Sequence, residues 1–309
     1  MNPLKRVIVA LDYEKPTNAM RLVETLDKTI DWYKIGPMLF TRFGTEIIRY
    51  LHEKEKRIFV DLKLHDTPQV VANTVAQFAE MGVEFTSLHC MGGRTMLTEA
   101  AKACRGSQLK LVGLTLLTSF DTDESKNWGW SLNAEDSVKR LSEVAMEARL
   151  SGILCSPNEI EAVRKHIWQG GVVITPGIRI PGKEVYQDDQ KRVASPQEAL
   201  AKGSDYLVIG RPILQAGDPL GFVESLFVRT HWVPKACLYD PNRIGECHRA
   251  HSRASARARE KHLSARPRRA GRDDRTACEK PEDSRAPGFQ DESHHCNDRA
   301  VRVHRLEGV

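Results

Sequence analysis

No apolar run in the 309-residue sequence approaches the roughly 18 residues that a helix needs to cross a lipid bilayer. The N-terminus leads directly into a strand-like segment and lacks the pattern of a secretory signal, so we expect a cytoplasmic protein. Only three cysteines, Cys90, Cys104 and Cys155, occur before residue 228, and they have no paired spacing. This pattern favours buried free thiols in a reducing compartment over a disulfide framework.

Neither sign of charge dominates the first 227 residues, which hold 28 Lys and Arg against 29 Asp and Glu. From Val228 onward the counts are 18 and 12, so the net charge of +5 comes from the last part of the chain. That part is rich in Arg and has few large apolar side chains, a composition typical of disorder. We therefore predict a folded domain over residues 1–227 and a disordered tail over residues 228–309.

The predicted tail lacks the usual signals of a binding domain. None of its four cysteines forms a C-x2-C pair, which argues against a zinc site. Its 12 acidic residues are interspersed with the basic ones, which argues against strong electrostatic binding of nucleic acid. The abrupt change of composition indicates a foreign segment, such as a readthrough or a shifted reading frame. The four cysteines are Cys237, Cys247, Cys278 and Cys296.

The first 227 residues also lack a glycine fingerprint of the dinucleotide-binding type after their first strand. They do contain eight short apolar segments, separated by stretches long enough for a crossover helix. Strands that are apolar throughout indicate burial on both faces, as in a parallel sheet. Eight such units in about 225 residues predict an α/β fold, a (β/α)8 TIM barrel, with a doubly wound sheet as the alternative. The predicted strands are 6–11, 31–35, 57–62, 84–88, 109–115, 152–154, 171–174 and 205–209.

Two long interruptions follow the fifth and seventh predicted strands, at residues 119–134 and 176–195. In a barrel both are loops at the carboxyl ends of the strands, where active sites are built. The second contains glycines, prolines and charges of both signs. We expect it to form a lid that closes over an anion.

The most informative stretch is Phe59 to Pro68, where an apolar run ends in alternating charges. Asp61 and Lys63 are two residues apart, so an extended backbone points both side chains to the same side. Asp66 stands just before Pro68, a position suited to the first turn of a helix. Other polar residues follow the other strands, and in a barrel they would surround one pocket, with a phosphate near the loops after strands 7 and 8. These residues are Asp12, Lys34, His89, Thr118, Gly177, Arg179, Gly210 and Arg211.

The chain resembles the orotidine 5′-phosphate decarboxylase family in seven motifs that occur in order over residues 5–226. The Asp-x-Lys-x-x-Asp element also occurs in sugar-phosphate decarboxylases and aldolases of the same superfamily, whereas the Asp-Asp-Gln-Lys-Arg segment favours the nucleotide enzyme. The motifs are Val-Ala-Leu-Asp12, Lys34-Ile-Gly, Asp61-x-Lys63-x-x-Asp66-x-Pro, Leu-Thr118-Ser, Thr-Pro-Gly-Ile-Arg179, Asp-Asp-Gln190-Lys-Arg and Val-Ile-Gly-Arg211-Pro-Ile.

The resemblance implies decarboxylation of orotidine 5′-monophosphate to UMP, in pyrimidine biosynthesis, by a homodimer that uses neither a metal ion nor an organic cofactor. It implies that Lys63 donates a proton to the carbon that loses CO2 and that Asp61 lies against the substrate carboxylate. Lys34, Asp61, Lys63 and Asp66 would form an alternating charge network, and Asp66 and Thr67 would reach the neighbouring pocket. The implied substrate contacts are Asp12 and Lys34 for the ribose, Thr118 for the pyrimidine edge, Gln190 between base and phosphate, and Arg179, Gly210 and Arg211 for the phosphate.

Two positions depart from the family pattern. Thr67 stands where Ile is common, and Val70 stands where the family commonly has a Thr that reaches the ribose of the neighbouring site. Loss of that hydroxyl would cost on the order of 1 kcal/mol of substrate binding. Two other functions stay open at this point: a metal-dependent sugar-phosphate lyase of the same fold, and a barrel scaffold with a nucleic-acid-binding tail.

Deleting residues 229–309 is expected to leave both decarboxylase activity and melting temperature nearly unchanged, because the predicted tail has too little apolar surface to pack on the barrel. Activity assays and thermal unfolding of the full and the shortened chain would check this. A large loss of either quantity would show that the tail is part of the folded enzyme.

Overall fold

A computed structural model describes residues 2–117, 133–167, 170–180 and 192–227, all of which belong to one unit, Met1–Trp232. Eight parallel strands pair in the order of the chain, and β8 pairs with β1, so the sheet closes into a barrel. The predicted (β/α)8 barrel is confirmed, and the doubly wound sheet is excluded. The strands are β1 (Val7–Ala10), β2 (Trp32–Ile35), β3 (Arg57–Leu64), β4 (Phe85–His89), β5 (Lys110–Leu114), β6 (Gly152–Leu154), β7 (Val172–Thr175) and β8 (Tyr206–Ile209).

Helices connect the strands and pack on the outside of the barrel. The two longest begin where the sequence offers a start signal: Pro68 opens one helix, and the side chain of Asn133 caps the other by accepting the N–H of Asp136. None of the described helices is long and apolar enough to span a membrane. The described helices are α1 (Pro16–Thr25), α2 (Pro37–Phe43), α3 (Glu46–Glu53), α4 (Pro68–Glu80), α5 (Gly93–Ala103), α6 (Ala134–Glu147), α7 (Ile160–His166), α8 (Pro196–Ala201), α9 (Arg211–Leu214) and α10 (Pro219–Ser225), with 3-10 turns at Pro3–Arg6 and Cys90–Gly92.

Each strand has buried side chains on both of its faces, as the continuous apolar runs predict. Val7 and Val9 of β1 pack outward against the helices, whereas Ile8 points into the barrel. Inside the barrel, the rings of Trp32 and Phe85 stack with centroids 4.9 Å apart. The interior is therefore a packed core, and a ligand has room only beyond it, at the carboxyl ends of the strands. The buried interior residues are Ile8, Ala10, Trp32, Phe59, Phe85, Val112, Leu114, Leu154, Ile174 and Val208.

Gly152 marks a very close approach between two strands. It stands opposite Val172 in the pairing of β6 with β7, and a Cβ atom added to it would lie 2.1 Å from the Val172 carbonyl oxygen. Because that neighbour is backbone, it cannot move aside without disturbing the barrel sheet. Only glycine fits this position.

Replacing Gly152 with Ala is expected to lower the free energy of unfolding by about 2 kcal/mol, as overpacking of a well-packed core does. Gly217→Ala is the matched control, because nothing lies within 4 Å of the Cβ that it adds. Denaturant unfolding of both variants would check the difference. Equal stability of the two would contradict the close approach of β6 and β7.

Candidate active site

The polar side chains of the site extend the inward-facing rows that fill the barrel. Lys34 follows Trp32 by two residues and Asp61 follows Phe59 by two, so each points to the same side as the core residue before it. The rows change from apolar to charged as the strands reach their carboxyl ends. The same spacing relates Asp12 to Ala10, Ser87 to Phe85 and Gly210 to Val208.

Asp61 lies between two lysine ammonium groups. Its Oδ2 atom is 3.5 Å from Lys34 Nζ and 2.9 Å from Lys63 Nζ. Lys34 Nζ is also 3.1 Å from Asp12 Oδ1. The structure thus brings four of the predicted charged residues into one row of alternating sign, from Asp12 through Lys34 and Asp61 to Lys63, here called the charge row.

Burial makes the middle of the charge row depend on its neighbours, since Asp61 is 5% and Lys34 7% exposed. Burial raises the pKa of Asp61, but the positive charges of Lys34 and Lys63 outweigh it and hold that pKa below its ordinary value. Burial lowers the pKa of Lys34, but Asp12 and Asp61 outweigh it and raise that pKa above its ordinary value. Both groups are therefore charged at neutral pH.

Lys63 has an unusual backbone conformation, with φ at +52° in the left-handed region that side-chain-bearing residues rarely adopt. The pairing of β3 with β4 also shifts register between Val60 and Leu64. The prediction that Asp61 and Lys63 share a side holds, but the regular extended backbone assumed for it is wrong. An irregularity in the ladder aims the Lys63 side chain at the Asp61 carboxylate, as bulges beside active sites commonly do.

Sequence reasoning missed Ser87, which contacts both of these residues from β4. Its hydroxyl donates a hydrogen bond to Asp61 Oδ1 at 2.7 Å and accepts one from the Lys63 backbone N–H at 2.9 Å. The side chain is completely buried. The available signal was its place two residues after Phe85, the spacing that also separates Asp61 from Phe59.

The glycine of the Lys34-Ile-Gly motif leaves space for the first ion pair of the charge row. A Cβ atom added to Gly36 would lie 2.7 Å from Asp12 Oδ1 and 3.0 Å from Lys34 Nζ. A larger residue would push the carboxylate and the ammonium away from their present positions. Gly36 is thus a requirement of the site, although it supplies no functional group.

Two arginines bring positive charge to the cavity that the charge row also lines. Arg211 begins α9 directly after β8 and Gly210, while the backbone N–H of Arg179 donates to the Ala194 carbonyl at 2.9 Å. The planar guanidinium group matches phosphate geometry, so this end of the cavity suits a phosphate. The cavity measures about 230 Å³ and has apolar walls such as Leu116 and Leu154. It is also lined by the charged residues Asp12, Lys34, Asp61, Lys63, Arg179 and Arg211 and by Gly177 and Gly210.

Arg192, in the loop after β7, contacts residues in the loops after β5 and β6. Its guanidinium pairs with the buried carboxylate of Glu159, which also accepts the hydroxyl of Ser156, and it donates to the backbone carbonyl of Leu117. Leu117 directly precedes Thr118, and Arg192 follows Gln190 by two residues. Thr118 and Gln190 themselves lie outside the described residues, as does most of each long loop predicted after β5 and β7.

The structure does not place Asp66, Thr67 or His89 in the charge row. Asp66 and Thr67 are exposed just before α4, where the Asp66 carboxylate accepts the Thr67 N–H at 2.6 Å and makes no ion pair within the described part of the chain. Asp66 therefore precedes the first helical turn instead of standing in it. His89 ends β4, accepts the N–H of Met91 on Nδ1 and stacks on His65.

The arrangement supplies fixed charges for a reaction that creates a negative centre. An ammonium group beside a carboxylate, as Lys63 is 2.9 Å from Asp61, can stabilise a developing carbanion and can also give it a proton. Across the described ranges, no three His, Cys, Asp or Glu side chains are grouped as a metal site would need. The four tail cysteines, which we predict not to form a zinc site, lie beyond residue 227 and so outside those ranges.

Comparison with known proteins gives the same family for most of the chain. A family model described as "Orotidine 5'-phosphate decarboxylase / HUMPS family" matches residues 5–226. The orotidine 5′-phosphate decarboxylase of Actinobacillus pleuropneumoniae serotype 5b (strain L20) is 41% identical over 224 residues, which cover 72% of this chain and 96% of that protein. The enzyme of the same name from Methylacidiphilum infernorum (isolate V4) is 40% identical over 219 residues, or 71% and 94% of the two chains.

Solved structures give a similar result. The crystal structure of orotidine 5′-phosphate decarboxylase from Lactobacillus acidophilus superposes with a TM-score of 0.63 at 31% identity, covering 72% of this chain and 97% of that one. An uncharacterised conserved protein from Geobacillus kaustophilus gives a TM-score of 0.62 at 29% identity, covering 71% and 97%. The family model spans the whole barrel and the relatives are about 40% identical, so the chain belongs to the orotidine 5′-phosphate decarboxylase / HUMPS family.

Proposed function

We propose that the charge row and the two arginines convert orotidine 5′-monophosphate to UMP and CO2, with Lys63 as the proton donor. The observation that carries the proposal is the buried Asp61 carboxylate held between Lys34 and Lys63. Family membership and the names of the relatives support the reaction, a cofactor-independent decarboxylation. The same names disfavour the metal-dependent sugar-phosphate lyase.

The chemical step creates negative charge on a carbon atom close to the Lys63 ammonium group. When the carbon–carbon bond to the carboxylate breaks, CO2 leaves and the electron pair stays on the pyrimidine carbon. The Lys63 ammonium stabilises that carbanion and then transfers a proton to it, which forms UMP and a neutral amine. Solvent returns the proton to the amine after product release. The ion pair with Asp61, 2.9 Å from Lys63 Nζ, holds the ammonium group in its position.

Asp61 has a second role in this proposal, because it lies where the substrate carboxylate binds. Two carboxylates brought together repel each other, and loss of CO2 moves the negative charge of the substrate carboxylate onto the pyrimidine carbon, next to the Lys63 ammonium. The repulsion therefore weakens on the way to the transition state, which lowers the barrier. Lys34 and Ser87 keep Asp61 from turning away from the substrate.

The remaining residues bind parts of the substrate that do not react. Arg179, Arg211 and Gly210 hold the phosphate, and Asp12 and Lys34 hold the ribose hydroxyls. Binding energy gained at the phosphate helps to align the pyrimidine against the charge row. Thr118 at the pyrimidine edge and Gln190 between base and phosphate complete the proposed set.

We propose that the enzyme is a homodimer in which Asp66 and Thr67 complete the neighbouring pocket. Both residues are exposed in the single chain, and within its described part the Asp66 carboxylate has no cation as partner. Close by on α4, Val70 is apolar and 49% exposed, which suits a surface that a second copy covers. In the dimer, Asp66 would extend the charge row beyond Lys63.

The three cysteines of the described residues support work in a reducing compartment. Cys90, Cys104 and Cys155 are all free and buried, and burial raises the pKa of each thiol, to about 12 for Cys90. Unreactive, unpaired thiols are typical of proteins in the cytoplasm. We therefore propose a cytoplasmic enzyme.

Lys63→Ala is expected to lower kcat by at least about 1,000-fold, because it removes both the proton donor and the charge that stabilises the carbanion. Binding of UMP is expected to change much less, since the phosphate and ribose contacts remain. Decarboxylation followed by absorbance and UMP binding followed by calorimetry would check the two quantities. Lys139→Ala, which removes an exposed lysine on α6, is the control. Retained turnover in Lys63→Ala would eliminate Lys63 as the donor.

Mixing the Lys63→Ala and Asp66→Ala proteins is expected to restore activity that neither has alone. If Asp66 serves the neighbouring pocket, one pocket of each mixed dimer regains every residue. In a random equal mixture about half of the dimers contain one chain of each variant, and one of the two pockets in each such dimer is complete. The mixture would then reach about one quarter of the unmodified activity. Denaturation and joint refolding, followed by the absorbance assay, would measure it. No gain over the separate proteins would contradict a shared site.

A further inference from the structure

The Ser87 hydroxyl connects the two residues that the proposed reaction depends on most. It donates to Asp61 Oδ1 at 2.7 Å, while the Lys63 ammonium holds the other carboxylate oxygen, Oδ2, at 2.9 Å. The hydroxyl also accepts the Lys63 backbone N–H at 2.9 Å. One completely buried side chain therefore fixes the orientation of Asp61 and the backbone from which Lys63 projects.

The Lys63 N–H needs this partner because of the irregular end of β3. Between Val60 and Leu64 the pairing of β3 with β4 shifts register, so the regular ladder is interrupted there. A backbone donor in a partly buried position without a partner costs free energy, and the left-handed φ of Lys63 is itself unfavourable. The Ser87 oxygen takes the place of the missing ladder acceptor and holds Lys63 in that conformation.

Building on the proposed function, we propose that Ser87 is a positioning residue for the decarboxylation. By one hydroxyl it sets the direction of the Asp61 carboxylate and the placement of the Lys63 ammonium, without touching the substrate itself. Misplacement of a reacting group by about 1 Å can reduce a rate about 100-fold. Removing the hydroxyl is therefore expected to affect the chemical step more than substrate binding.

A purely structural role for this hydroxyl can be separated from a positioning role by its neighbour on β4. Thr86 is equally buried, and its hydroxyl donates to the Val60 backbone carbonyl of β3 at 3.0 Å. That hydrogen bond joins the same two strands but reaches neither Asp61 nor Lys63. Thr86→Val, which keeps the shape and removes the hydroxyl, is the matched control.

The experiment compares kcat, KM for orotidine 5′-monophosphate and melting temperature among the unmodified chain, Ser87→Ala, Ser87→Thr and Thr86→Val. In Ser87→Ala we expect kcat to fall about 10- to 100-fold with KM changed by less than about threefold. Ser87→Thr returns a hydroxyl and is expected to recover kcat to within about threefold. Thr86→Val is expected to lower the melting temperature while kcat stays within about twofold.

The outcomes separate this inference from the function on which it rests. No turnover by the unmodified chain would overturn the proposed function and this inference with it. Normal turnover together with an unchanged kcat in Ser87→Ala, or an equal kcat loss in Thr86→Val, would overturn the inference alone. If Ser87→Ala does not fold, Ser87→Cys keeps the size with a weaker donor, and a kcat equal to that of the unmodified chain would overturn the inference as well.

Discussion

A buried carboxylate held between two ammonium groups is the interaction on which the rest of the site depends. Burial disfavours the charged form of both Asp61 and Lys34, and in each case the neighbouring opposite charges outweigh it: Lys34 and Lys63 lower the pKa of Asp61, and Asp12 and Asp61 raise the pKa of Lys34. Each charge is tolerated because its neighbours have the opposite sign. The result is a fixed electric field at the end of a packed core, available before any substrate binds.

The barrel builds this field with the same regularity that builds its core. Rows of inward-facing residues begin with large apolar side chains such as Trp32, Phe59 and Phe85, and two residues later they present Lys34, Asp61 and Ser87. The packed interior lies beneath the charged side chains, and these side chains line the cavity above it. The same alternation of side chains along the strands therefore places the core residues and, two positions later, the polar residues of the site.

Much of this architecture can be predicted from the sequence. The features that cannot be predicted share one physical cause. The apolar runs predict all eight strands because burial on both faces leaves a strong local signal. The end of β3 is different: the predicted strand stops at residue 62, yet the structure extends it to Leu64 through a left-handed Lys63. That conformation and the Ser87 hydrogen bonds depend on contacts between residues of two strands that lie 24 and 26 positions apart in the sequence. No local sequence pattern encodes such contacts. The roles of all the predicted catalytic and substrate-binding residues, Thr118 and Gln190 among them, stay predictions.

The most direct test of the account is the decrease in absorbance as orotidine 5′-monophosphate is converted to UMP by the full-length chain with EDTA present. We predict rapid turnover that the chelator does not affect, because the charge row supplies the charge that a metal ion or cofactor would otherwise provide. Absence of turnover in both the full-length chain and a chain ending at residue 228, or turnover abolished by EDTA, would contradict it.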